Sequence, residues 1–170
     1  MWKVYGSFDL LKKSELSWSK QFELAVSAHS GLFKASGVYV ICTTHGGNHR
    51  IRYIGMTHEQ GFAKEVFSQA NNSKVWKIIE QEKCSKITVW LIAKPKIKQS
   101  GFAWHSSMKP QSSLLETLFI MHARAAGHKL INIKKLKAAD EIAVEGLFGI
   151  RKKGKKPKSL MALSKLLVMQ

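Results

Sequence analysis

The sequence predicts an α+β protein. Three stretches rich in β-branched and aromatic residues read as strands, and a well-formed helical stretch closed by Gly127 follows them. The first two strands are separated only by a glycine- and asparagine-containing turn, so they form a hairpin.

Along the chain, residues 1–35 read as a helical lead-in. Ser7 or Ser14 could cap it, and Leu16, Phe22, Leu24 and Val26 supply apolar positions. "SGVYVICTT" (36–44) is the first strand, "HGGNH" the turn and "RIRYIGMT" (50–57) the alternating return strand. Helical spacing then runs from Gly61 to Ala70 and from Ser73 to Glu82. "KITVWLIAK" (86–94) is the third strand, and a loop bounded by Pro95 and Pro110 leads to the helix "SSLLETLFIMHARAAG" (112–127). In that loop Trp104, with Phe102, could stack on an unpaired base or simply pack on the surface. Three regions follow: a helical N-terminal extension (1–35), a central domain (36–137) and a basic C-terminal extension (138–170). The last contains "RKKGKKPK" (151–158) and a closing amphipathic segment capped by Ser159.

Charge is the strongest global signal. Twenty-eight Lys and Arg against eleven Asp and Glu give +17, with a pI near 10.0. Such an excess favours polyanions through counterion release, so nucleic acid is the expected partner. Arginine occurs only at positions 50, 52, 124 and 151, so the charge favours grip on a backbone over reading of bases. No apolar run reaches the ~18 residues of a membrane span, and neither that nor a signal peptide is expected. Cys42 and Cys84 share no metal-ligand spacing and read as reduced thiols in a cytoplasmic protein. The histidines likewise build no metal-ligand pattern.

Gly37-Val38-Tyr39 and, after the short hairpin, Tyr53-Ile54-Gly55 carry a more specific signal. With Glu116 on the later helix and Asn132 in "LINIKK" beyond it, they stand in an order that resembles the GIY-YIG nuclease superfamily, over roughly residues 36–133. The resemblance implies a central three-stranded antiparallel sheet flanked by helices, and metal-dependent hydrolysis of a DNA phosphodiester. It further implies one site that combines the two tyrosines, an arginine, a metal-binding glutamate and the asparagine. The family's arginine lies eight or nine residues past the second motif's glycine. Here no arginine occurs between Arg52 and Arg124, and Lys64 is the nearest cation in place.

Elementary chemistry supports several of these roles. Phosphodiester hydrolysis needs an aligned water, a proton acceptor and compensation for charge on the phosphate. Mg²⁺ (or Mn²⁺) meets the charge requirement with few protein ligands, so the single carboxylate of Glu116 suffices. Glu116 is the one charged residue between Ser112 and His122, in apolar company. Its plainer alternative is a capping box with Ser113. Tyr39 is assigned as general base or water-positioning group with Tyr53 as its partner, against simple packing on a sheet face. Lys64, with His58, stands in for the arginine, while Asn132 orders the site or is a plain turn residue. Lys134, Lys135, Lys137, Arg151, Lys152, Lys153, Lys155, Lys156 and Lys158 are the backbone-gripping candidates.

The leading expectation is therefore a DNA endonuclease, with oligomeric state open and a homodimer needed if it cuts both strands as a restriction enzyme. A DNA-binding protein of the same fold without catalysis is the first rival. A basic structural or interaction protein is the second.

Overall fold

A computed structural model describes residues 1–45, 48–96, 101–102, 108–132 and 135–136. The basic run Arg151–Lys158, Lys134, Lys137, Trp104 and the whole 138–170 extension lie outside the described residues.

The fold is α+β, with a four-stranded antiparallel sheet ordered β1-β4-β2-β3. The strands are β1 (Lys3–Leu11), β2 (Gly37–His45), β3 (Asn48–Thr57) and β4 (Lys86–Ala93). The helices are α1 (Trp18–Val26), α2 (Gly61–Glu65), α3 (Gln69–Glu82) and α4 (Lys109–Ala125). The expectation of three strands behind a helical lead-in is corrected by β1, which pairs with β4 at the sheet edge. Only Phe8 and Leu10 of β1 are buried, and its register shifts between Tyr5 and Phe8, so the sequence shows no sustained alternation there. The N-terminal helix is α1 alone, and its cap is Ser17, whose hydroxyl accepts from Lys20 N, rather than Ser7 or Ser14.

The central strands β2 and β4 are covered on both faces. On one face Tyr39, Ile41, Val89 and Leu91 join Phe22, Phe62, Val75 and Ile79 from α1, α2 and α3. On the other, Val38, Val40, Cys42 and Ile92 meet Ile120 and Met121 of α4. Double coverage explains why these strands read as continuous apolar runs instead of alternating ones. Cys42 and Cys84 are free, buried thiols, and burial pushes Cys42 up to about 11, which makes it unreactive. Phe102 packs edge-on against Tyr5, with ring centroids 5.3 Å apart, so it belongs to the core margin rather than to a base-stacking platform.

Two glycines of the hairpin are required by close approach. A side chain at Gly37 would strike the Ile92 carbonyl on β4, and one at Gly55 would strike the Tyr39 ring.

Candidate functional site

β2 and β3 are registered so that Tyr39 faces Gly55 and Ile41 faces Tyr53. The two tyrosine rings therefore lie on the same face, with centroids 6.0 Å apart and planes inclined at 49°. α3 crosses this face. Ser68 caps it, and Asn71, Lys74 and Lys77 follow at three-residue intervals, along one side of the helix.

Asn71 is buried and its Nδ2 donates to the Tyr39 hydroxyl at 2.8 Å and to the Glu65 carbonyl. Lys74 Nζ donates to Asn71 Oδ1 at 2.8 Å and to the Tyr53 hydroxyl at 3.1 Å, and it stands 4.6 Å from the centre of the Tyr53 ring. Tyr39 is fully buried, while Tyr53 is half-buried. Burial pushes the Tyr39 hydroxyl upward, Tyr53 and Glu65 add to the shift, and only the Asn71 hydrogen bond opposes it. A phenolate at Tyr39 is thus strongly disfavoured, and Tyr53 is the more accessible of the two hydroxyls.

The opposite wall comes from α4 and the segment after it. α4 begins at Lys109, so Ser113 lies inside the helix and cannot cap it. This removes the capping-box reading of Glu116. Instead the carboxylate is buried, with Oε2 2.7 Å from Lys135 Nζ, which also donates to the Ser113 hydroxyl at 2.7 Å. Glu116 is held above the usual carboxylate range, first by desolvation and further by the charge on Glu65, with Lys135 opposing. Asn132 spans β3's outer edge: its Oδ1 accepts from Ile54 N at 3.1 Å and its Nδ2 donates to Ile54 O. Ile131 N donates to Arg52 O at 2.8 Å, so residues 131–132 run beside β3 almost as an added strand.

Together these walls enclose an open groove of about 540 Å³ lined by Tyr39, Tyr53, Glu65, Lys74, Glu116 and Asn132, with Lys77 and Lys135 beside them. Four of the residues singled out from sequence as catalytic thus meet in one cavity, together with Lys135 from the basic set. Lys64 and His58 do not line it: Lys64 is exposed on α2, and His58 Nε2 pairs with Glu59 at 3.0 Å. The family pattern places its cation on the short helix after the second motif, so it does not point to Lys74 and Lys77. Their spacing with Asn71 along α3 was the available signal.

The donor set suits a hard cation in part. Glu116 and Glu65 bring carboxylate oxygens to one groove, and Mg²⁺ needs few protein ligands, but Lys135 already sits on Glu116. Among the described residues no group of three or more His, Cys, Asp or Glu is arranged around a metal position. Nor does any described helix have the length and apolarity to cross a membrane. In comparisons with known proteins, the chain matches no family model, no curated protein and no solved structure.

Proposed function

We propose that the chain is a GIY-YIG-type DNA endonuclease that hydrolyses a phosphodiester in the groove between β2–β3, α3 and α4. The observation that carries this reading is the convergence of Tyr53, Glu116, Asn132 and three lysines on one cavity in a strongly basic chain. Lys74 and Lys77 meet the phosphate charge from α3, in place of the arginine expected on the preceding helix. Lys74 donates into the Tyr53 oxygen, so the hydroxyl proton of Tyr53 points elsewhere and can hold a water by its oxygen. Tyr39 and Asn71 brace this arrangement without taking a proton. Glu65 has no ion pair among the described residues and is the groove carboxylate suited to accept the water's proton. Mg²⁺ or Mn²⁺ would be held by Glu116 and would supply charge neutralisation at the phosphate oxygens. Asn132 holds the strand that carries Tyr53.

The rival, DNA binding without cleavage, is favoured by one observation. Lys135 is fixed at once to Glu116 and Ser113, and a metal has to displace it. Incubation of supercoiled plasmid with Mg²⁺, Mn²⁺ or EDTA separates the two. Metal-dependent nicking that Glu116→Ala abolishes supports the nuclease. DNA binding with identical plasmid profiles in every lane supports the rival.

A further inference from the structure

A second polar cavity lies beside the groove, at the other end of the same edge strand. It measures about 560 Å³, and Arg50, Arg52, Glu82 and Lys129 line it together with His49 and His128. Three permanent cations thus face a single carboxylate. Arg52 is almost buried; its Nη2 lies 3.3 Å from Glu82 Oε1, and its Nε has no hydrogen-bond partner. Arg50 reaches the same carboxylate only at 3.9 Å and remains largely exposed, as does Lys129. The Nε is closed off from the cavity, so Arg52 adds positive charge behind Arg50 and Lys129 instead of a direct contact.

The chain itself links this cavity to the groove. Arg52 and Tyr53 are consecutive on β3, and residues 127–129 line the cavity while Ile131 and Asn132 line the groove. Two residues lie between Lys129 and Asn132, so the chain spans at most about 10–11 Å from one to the other. That upper limit matches the axial rise of about three nucleotides of one DNA strand at ~3.4 Å each.

We propose that this cavity is a second phosphate subsite that grips the DNA backbone within about three nucleotides of the cleaved bond. Arg50 and Lys129 contact the phosphate, and Arg52, fixed by Glu82, backs them. This assignment rests on the nuclease reading for its position relative to the cleaved bond, and on charge and geometry alone for backbone binding.

The test is a salt titration of the affinity for a fluorescein-labelled DNA duplex in EDTA, read by fluorescence anisotropy. The double variant Arg50→Ala/Lys129→Ala removes two exposed cations and leaves Arg52–Glu82 intact. It is compared with Lys13→Ala/Lys20→Ala, which loses the same charge from residues that line neither cavity. Loss of the one phosphate contact makes the slope of log K against log salt shallower by about 0.9. The control changes it by less than half as much. Equal slopes in the two double variants, or no binding by the native chain, overturn the subsite. A shallower slope in a protein that never nicks plasmid keeps the subsite and removes the nuclease reading. Nicking with an unchanged slope does the reverse.

Discussion

The ring of Tyr39 lies directly over Gly55, its register partner across the β2–β3 hairpin, and occupies the space that any side chain at Gly55 would need. The first motif's tyrosine and the second motif's glycine are therefore two halves of one packing contact. It holds the rings of Tyr39 and Tyr53 6.0 Å apart on one face.

Gly55→Ala forces the fully buried Tyr39 ring out of place and is expected to cost about 1–3 kcal/mol. At ~2–4 °C per kcal/mol for a chain of this size, the loss is visible as a lowered Tm in thermal unfolding. Tyr39→Phe keeps the ring and removes only the hydroxyl that Asn71 bonds, with an expected cost of ~1 kcal/mol. Because Asn71 also donates to the Glu65 carbonyl, α3 stays in position. Cleavage by Tyr39→Phe should therefore fall far less than cleavage by Tyr53→Phe. Equal losses in initial nicking rate would return the water-positioning role to Tyr39.

Of the groove lysines, Lys74 is the one that donates to both Tyr53 and Asn71. Lys74→Met removes the donor to Tyr53 and Asn71 and is expected to lower the nicking rate by about 10²–10³-fold. Lys74→Arg restores the charge and should recover part of the rate. Lys64→Ala, on an exposed position outside the groove, should stay within about twofold of the native rate. A large loss in Lys64→Ala with a silent Lys74→Met would reverse this assignment.

These residues show where sequence reasoning works and where it stops. The hairpin, β4 and α4 follow from local pattern, because each buries apolar residues at a regular period or is bounded by glycine and proline. Tyr53, Glu116 and Asn132 could be singled out because their order along the chain resembles the GIY-YIG pattern. β1 could not, since an edge strand with two buried side chains and a register shift carries almost no periodic signal. The same limit applies to Lys74: its place between Tyr53 and Asn71 depends on the path of α3 across the hairpin, a tertiary relation. Lys135 was read as a backbone-gripping cation, yet its ammonium is tied to Glu116 and Ser113.

Asn132 supplies both a donor and an acceptor to the backbone of Ile54, which among the described residues has no neighbouring strand at this edge of the sheet. Asn132→Ala leaves both buried groups of Ile54 unpaired, at an expected cost of about 1–3 kcal/mol. Asn132→Asp keeps the acceptor, loses the amide donor and sets a carboxylate oxygen against the Ile54 carbonyl, so it should be no more stable than the alanine variant. Amide hydrogen exchange at Ile54 checks both, and unchanged protection would show that residues 131–132 are held by other contacts.

Glu116 gives a pH dependence of definite sign. Its carboxyl is raised above the usual range in the folded chain, by burial first and then by Glu65, with Lys135 opposing. The folded state therefore holds the proton more tightly than the unfolded state. Glu116 costs no stability at pH values below the ordinary carboxylate pKa of ~4.3, and its cost grows as the pH rises from there through the raised value. Glu116→Gln removes that cost. The variant should have a higher Tm than the native chain at pH 7, and the difference should shrink toward zero as the pH is lowered to about 4. Its nicking activity should fall by at least ~100-fold. Mg²⁺ should raise the Tm of the native chain at pH 7 by mass action and leave that of Glu116→Gln unmoved. If Glu116→Gln is instead less stable at neutral pH and Mg²⁺ moves neither Tm, the carboxylate serves as the structural partner of Lys135, and DNA binding without cleavage is the better reading of the groove.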